Sequence, residues 1–194
     1  MKKLIFQVII LCFPVALIAQ TVENLEKRVT SVIDSSQANN MVLKQSFIVN
    51  VPLDSVWNAY TTKKGFESWA TAKAEIDFKI NGLIKTNYKK DGEIGDDSTI
   101  YLHIVNYIPK TMLTLQAELT KNFPDFMKAD EKDLYNMILF EDIEPSKTKV
   151  ISYGIGYKNN KKYMSLMKFF IQGNEHSYLN LISYLETGKP SVNY

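Results

Sequence analysis

With 194 residues, the chain is long enough to bury a sizeable core without disulfides or metals, and short enough to form one domain. Its 23 basic and 21 acidic side chains nearly cancel, which argues against nucleic acid or an anionic membrane surface as the main partner. The 2 histidines, His103 and His176, are too few for a histidine-rich metal site.

The N-terminus has the pattern of a secretory signal peptide. Lys2 and Lys3 precede a largely apolar run from Leu4 to Ala19, which is shorter than the ~20 residues that a membrane span needs. We expect residues 1–19 to be removed and Gln20 to become the first residue. The mature protein would then be periplasmic or secreted, with no stable membrane insertion, whereas a retained membrane anchor is the alternative.

The single cysteine, Cys12, lies inside this apolar run and raises the alternative of a lipid anchor. An acylated cysteine needs a small residue just before it, and Leu11 is not small, so we do not expect a lipoprotein. Cleavage after Ala19 would leave a mature chain without a thiol, and therefore without disulfides, thiolate catalysis or cysteine-bound metals.

Residues 20–40 form a polar segment in which Val22, Leu25, Val29 and Val32 lie near helical spacing, so a short helix is predicted there. From residue 41 to residue 190 the pattern is that of a single α+β domain. No repeat, low-complexity tract or linker interrupts it.

Alternation with a period of two around Phe47 predicts a half-buried first strand of this domain, which ends at Pro52. Two short helices follow, the first carrying Val56 and Trp57 and the second running up to Trp69. Helices this brief do not make a bundle.

A series of strands comes next. Ile76, Phe78 and Ile80 alternate with polar residues, and the Asn81-Gly82 pair after them is typical of a two-residue hairpin turn. Further strands are predicted over residues 84–88, 99–107, 112–119, 135–141 and 149–157. Residues 120–133 contain Pro124 and many charges, which indicates a long irregular connection, and long loops are often lids.

The chain ends with apolar residues at helical spacing from Tyr163 to Leu185, closed by Gly188 and Pro190. An antiparallel sheet with one apolar face must be covered, and only this helix is long enough to do so. The prediction is a helix-grip fold: a curved antiparallel sheet of about six to seven strands around a long C-terminal helix, with a space between them.

The order of these elements resembles the START-like superfamily, and within it the group of activator of heat-shock-protein ATPase homologues. The resemblance covers residues 45–189 and departs at Asn81, where the family usually has a glycine. The residues that carry it are Val51-Pro52, Val56-Trp57, Tyr60-Thr61, Trp69, Asn81-Gly82, Tyr107-Ile108-Pro109, Phe169-Phe170 and Gly173-Asn174.

The resemblance implies the fold and leaves several functions open, because fold does not determine function. Members of the superfamily bind lipids, steroids or polyketides, cyclise or hydrolyse aromatic products, or act as co-chaperones. An exported chain would not meet a cytosolic ATPase, so the co-chaperone role is not expected here. We expect no cofactor, and the sequence leaves the oligomeric state open.

Three hypotheses follow. The first, which we favour, is a module that binds a small apolar molecule between sheet and helix, gated by residues 123–133. The second is a cyclase- or hydrolase-like enzyme with Tyr88, His103 or Tyr153 as proton donor or acceptor. The third is an interaction protein whose core is filled by its own side chains.

No metal site is expected, because the acidic turn at residues 91–97 lacks the calcium-loop pattern and turn chemistry explains it. The predicted ligand contacts are apolar and aromatic residues on the strands, after the second short helix and on the inner face of the terminal helix. They are Trp69, Phe78, Tyr88, Leu102, Leu115, Tyr153, Met164, Met167 and Phe170.

Overall fold

The computed structural model describes residues 28–192, so the predicted signal peptide and residues 20–27 lie outside the described residues. The strands within this range are β1 (Val29–Asp34), β2 (Asn40–Val49), β3 (Lys73–Ile76), β4 (Leu83–Asn87), β5 (Ile100–Ile108), β6 (Met112–Ala117), β7 (Tyr135–Glu144) and β8 (Lys147–Lys158). The helices are α1 (Leu53–Thr61), α2 (Lys63–Glu67), α3 (Asp125–Lys128) and α4 (Lys161–Thr187), with a 3-10 turn at Glu131–Asp133.

The described strands form one antiparallel sheet in the order β1-β2-β8-β7-β6-β5-β4-β3. Hairpins connect β3 through β6 and also β7 to β8, while the β1-β2 hairpin pairs with β8 at the far end of the chain. The pairing of β2 with β8 therefore joins the two ends of the described chain in one sheet. Helix α4 comes directly after β8 and lies across the inner face of that sheet.

The long helix α4 has the sequence signals of a well-defined start and end. The Asn160 side chain accepts a hydrogen bond from the Tyr163 amide at the N-terminus, and Gly188 ends the helix in the left-handed conformation at φ 75°. Tyr163, Met167 and Leu181 lie on its buried face at helical spacing.

The core has two parts, one at each half of α4. The C-terminal half packs Tyr178 and Leu181 against Phe47, Trp57 and the other residues of the larger cluster. The N-terminal half packs Tyr163 and Met167 against a smaller cluster that includes Met41, Leu43, Met127 and Leu134. The predicted α+β helix-grip fold is confirmed, with eight described strands instead of six to seven.

The first correction concerns residues 29–34, which form strand β1 and not part of a helix. Their register runs from Val29 opposite Phe47 to Asp34 opposite Val42. The segment is rich in β-branched residues, which favour a pleated surface, and this pairing with β2 overrides the weak helical spacing.

The second correction concerns the connection between β3 and β4. Strand β3 ends at Ile76, and residues 77–82 form a longer loop instead of a two-residue turn at Asn81-Gly82. Asn81 has φ 62°, and its amide donates to the Ile104 carbonyl of β5 at 2.9 Å. Bonding to a third strand therefore takes Phe78 out of the predicted alternation.

The third difference is that the irregular connection at residues 120–133 contains the short helix α3 and the 3-10 turn. None of the helices in residues 28–192 combines the length and the apolar character that a membrane span requires.

Candidate functional site

A cavity of about 330 Å³ lies between the inner face of the sheet and α4, closed at one end by α1 and α2. This volume is within the range of small-molecule sites, so the space is not filled by the protein's own side chains. Its apolar and aromatic walls are formed by Phe66, Trp69, Ala70, Ile100, Leu102, Leu115, Ala117, Leu119, Phe123, Met127, Leu134, Ile138 and Phe170.

The remaining walls are polar and uncharged. None of the described residues that line the cavity is Asp, Glu, Lys, Arg or His. These polar residues are Tyr60, Thr86, Tyr88, Tyr135, Asn136, Tyr157, Asn174, Ser177 and Tyr178. The cavity therefore offers hydrogen bonds but no formal charge to a ligand.

Two of these tyrosines have contrasting hydrogen bonding. Burial raises the pKa of Tyr178, and its hydrogen bonds with the Ser152 and Asn136 side chains partly oppose that rise. Asn136 Nδ2 also donates to Ser152 Oγ at 3.0 Å, so these groups form a connected network. The Tyr60 hydroxyl, by contrast, is buried without a hydrogen-bond partner.

Burial also raises the pKa of some of the cavity tyrosines above the usual value of 10.0. It raises the pKa of Tyr60 well above its usual value, with a further rise caused by the nearby Tyr178 phenol. It raises the pKa of Tyr157 to about 12. The phenols are therefore hydrogen-bond donors and acceptors at pH 7, and not bases.

The segment of residues 123–133 covers one side of the cavity through Phe123 and Met127. It is fastened by Asp130, which is 7% exposed and accepts hydrogen bonds from the Tyr163 hydroxyl at 2.9 Å and from the Lys158 ammonium group. The Lys158 hydrogen bond holds the pKa of the Asp130 carboxyl below its usual value.

The structure brings part of the predicted contact set together. Trp69, Tyr88, Leu102, Leu115 and Phe170 all line the cavity. Their alternation on β5 and β6 places Leu102 and Leu115 on the inner face, as the period of two predicts.

The other four predicted contacts lie outside the cavity walls. Phe78 packs edge-on against Trp57, with ring centroids 5.8 Å apart, because the β3-β4 loop carries it into the larger core cluster. Tyr153 lies opposite Lys44 on the outer face of the sheet, with the ammonium nitrogen 5.8 Å from its ring centroid.

Met164 and Met167 miss the cavity for opposite reasons. Met164 is 43% exposed, because it follows the buried Tyr163 directly and the helical rotation from one residue to the next turns its side chain away from the buried face of α4. Met167 is 1% exposed and packs in the smaller core cluster with Met41 and Leu43. These placements show where each side chain lies, and ligand contact by the five lining residues stays a prediction.

The three side chains considered for proton transfer do not come together. Tyr88 lines the cavity, but His103 lies on the outer face of β5, where its Nε2 is 2.7 Å from Glu118 Oε1. Tyr153 is on the outer face as well. The geometry therefore gives no cluster of these groups around one reacting atom.

The acidic side chain of Asp96 in the turn after β4 makes its hydrogen bonds within that turn and with Asn87 at the end of β4. The Asp96 carboxylate accepts hydrogen bonds from the Glu93 and Ser98 amides and from Asn87 Nδ2, and the first two lower its pKa most. Within residues 28–192, no group of three His, Cys, Asp or Glu side chains is placed to hold a metal ion.

Sequence reasoning missed several polar wall residues, chiefly Tyr60, Asn136, Asn174 and Tyr178. Tyr178 lies on the apolar stripe of the terminal helix, and Tyr60 lies on the first short helix beside Trp57, so both could have been considered. Asn136 gives no such signal, because its strand face depends on register.

Solved structures with the same fold support this architecture. EF2215, a conserved protein of unknown function from Enterococcus faecalis, is similar with a TM-score of 0.61 and 12% identity, covering 89% of this chain and 85% of that chain. The Aha1 dimer from Colwellia psychrerythraea has a TM-score of 0.57 and 17% identity, covering 76% and 98%. CalU16 from Micromonospora echinospora has a TM-score of 0.55 and 15% identity, covering 84% of each chain.

Identities this low show a shared fold and nothing further about function. No curated protein matches the chain. Residues 50–186, more than half of the chain, match the model of the family described as Activator of Hsp90 ATPase homolog 1-like protein. Since the sequence match and the helix-grip fold agree, the chain belongs to the family of Activator of Hsp90 ATPase homolog 1-like proteins.

Proposed function

We propose that this protein holds a small, uncharged and largely apolar molecule in the cavity between the sheet and α4. The observation that carries the proposal is a space of about 330 Å³ whose described walls are mainly apolar and contain no charged side chain. Burying apolar ligand surface there contributes about 25 cal/mol per Å² before the costs of association.

The absence of charge from these described walls also limits the class of ligand. A carboxylate, phosphate or ammonium group entering the cavity would lose its hydration without meeting an opposite charge. An apolar skeleton with one or two neutral polar groups suits the walls better, because tyrosine and asparagine side chains can satisfy such groups.

The proposal includes a gate formed by residues 123–133. Phe123 and Met127 contribute to the cavity wall, and Asp130 ties the segment to β8 and α4 through its bonds to Lys158 and Tyr163. Movement of this segment away from α4 would uncover the cavity, which is how a ligand would enter and leave.

We also propose that this ligand is held outside the cytoplasm. Lys2 and Lys3 with the apolar run from Leu4 to Ala19 support export, and Gln20 would be the first residue of the mature protein.

The test is a titration with N-phenyl-1-naphthylamine, a neutral apolar probe whose fluorescence rises in apolar surroundings. Ala117 points into the cavity from β6, so Ala117→Phe should fill part of it and weaken probe binding at least about tenfold. Ala38→Phe is the matched control, because Ala38 is exposed between β1 and β2, lies outside the gate and does not line this cavity. Equal binding by both variants and the wild type would refute the cavity as the binding site.

A further inference from the structure

One residue of the cavity wall carries a buried polar group that the described part of the chain leaves without a hydrogen-bond partner. Among the described residues, the Tyr60 hydroxyl is the only buried side-chain nitrogen or oxygen that makes no hydrogen bond. Tyr60 is 3% exposed and belongs to the cavity wall. Buried tyrosine hydroxyls usually find a partner, so this exception needs a physical explanation.

The position of this hydroxyl is fixed by packing. The Tyr60 ring meets Trp69 edge-on at a centroid distance of 5.2 Å and Phe140 edge-on at 5.3 Å. Trp69 is in turn fixed by its Nε1, which donates to the Ala59 carbonyl at 3.0 Å. The ring therefore cannot swing out of the core to reach water without disrupting these contacts.

The other buried tyrosine of this wall is already satisfied. The Tyr178 phenol is near enough to raise the pKa of Tyr60, yet its own hydrogen bonds go to Ser152 and Asn136. The Tyr60 hydroxyl is consequently a hydrogen-bond donor without an acceptor, next to the network of Tyr178, Ser152 and Asn136. Because burial keeps its proton in place, it offers that proton to a hydrogen-bond acceptor.

We infer that the Tyr60 hydroxyl donates a hydrogen bond to a neutral acceptor oxygen on the ligand, so that the ligand is an apolar molecule bearing a carbonyl group. This inference rests on the proposed function and restricts the class of ligand that the cavity would hold. A charged oxygen is disfavoured by the uncharged walls, and a pure hydrocarbon would leave the hydroxyl unsatisfied.

The test compares 9-fluorenone with fluorene, two rigid molecules of nearly the same shape that differ by the carbonyl oxygen. The wild-type protein should bind fluorenone about three- to tenfold more tightly than fluorene, once the affinities are corrected for the different free energies of transfer of the two molecules from water to an apolar solvent. Tyr60→Phe should bring this ratio close to one and keep the affinity for fluorene.

Tyr153→Phe is the matched control, because Tyr153 lies on the outer face of the sheet and does not line the cavity. This variant should keep the wild-type ratio. The carbonyl stretch of bound fluorenone gives an independent signature: it should lie at lower frequency in the wild type than in Tyr60→Phe, since hydrogen bonding weakens the C=O bond.

The outcomes separate this inference from the proposed function. If neither molecule binds the wild type, the proposed function fails. If both bind but the ratio and the carbonyl frequency are the same in Tyr60→Phe, the cavity binds ligands and the role of Tyr60 is refuted. The unliganded Tyr60→Phe protein should melt at the same or a higher temperature than the wild type, and a clearly lower midpoint would show a hydroxyl already satisfied, which also contradicts the inference.

Discussion

Gly156 shows how closely the backbone under the gate is packed. Its φ of 89° is in the left-handed region, and a Cβ built on it would lie 1.8 Å from the Asp133 carbonyl oxygen. Glycine is required here for two reasons, the positive φ and the close approach of the 3-10 turn.

We therefore expect Gly156→Ala to lower the free energy of unfolding by about 2 to 3 kcal/mol, measured by urea denaturation. Gly173→Ala is the control: Gly173 is exposed in α4, has open space around its Cβ position, and should gain about 0.5 to 1 kcal/mol as alanine. Similar effects of the two substitutions would contradict this account of Gly156.

The buried tyrosines also predict how stability depends on alkaline pH. Burial raises the pKa of Tyr157 to about 12, whereas the usual value is 10.0. A raised pKa in the folded state gives stability that is complete below the usual value and is lost as the pH rises through the folded value.

The free energy of unfolding should therefore fall between pH 10 and pH 12, and it should fall less in Tyr157→Phe than in the wild type. Denaturation series at pH 8, 10 and 11.5 would measure both slopes. Identical slopes in the two proteins would show that Tyr157 does not contribute.

Among the secondary-structure elements, the gate is tied by Asp130 to Tyr163 of α4 and Lys158 of β8. Because the Lys158 hydrogen bond lowers the pKa of Asp130, this fastening is intact above the ordinary value of 3.8 and is lost as the pH falls through the lower folded value. The gate should thus be equally closed throughout the neutral range.

Asp130→Asn should reduce the hydrogen-exchange protection of residues 123–133 at pH 7, because the charge-assisted bond to Lys158 is lost. Asp125→Asn is the control, since the Asp125 side chain is 99% exposed and pairs with Lys128 of its own short helix. Protection that stays unchanged in Asp130→Asn would contradict the role of Asp130 as the fastening.

Local patterns were sufficient to predict the helix α4, the alternation of β5 and β6 and the helix-grip architecture. The apolar residues from Tyr163 to Leu185 recur at helical spacing, and Leu102 and Leu115 fit the period of two of their strands. Strand β1 was missed because it owes its state to pairing with β2, which no spacing along residues 29–34 reveals. Phe78 was misplaced because the loop at residues 77–82 bonds to β5, a contact outside its own hairpin.

For the cavity, the sequence could indicate that the walls are apolar but not which residues form them. Which side chains face inward depends on register and bulges, such as the shift between Ile104 and Asn106 on β5. Tyr153 falls on the outer face for the same reason. The unpartnered hydroxyl of Tyr60 is a property of packing, and only the folded chain shows it.

Export of the protein is predicted from its N-terminal residues, which lie outside the described range. Mass spectrometry of the N-terminal peptide of the protein recovered from its own host should identify Gln20, as glutamine or in its cyclised form, as the first residue. An intact Met1 or an acylated Cys12 at the N-terminus would contradict the predicted cleavage.

Native mass spectrometry of the protein purified from its own host can show directly whether the cavity between sheet and helix holds an uncharged apolar molecule. We predict a complex whose excess mass is lost on denaturation and belongs to one neutral, apolar molecule bearing a carbonyl group. A protein that carries nothing, and that also fails to bind N-phenyl-1-naphthylamine, would contradict this prediction.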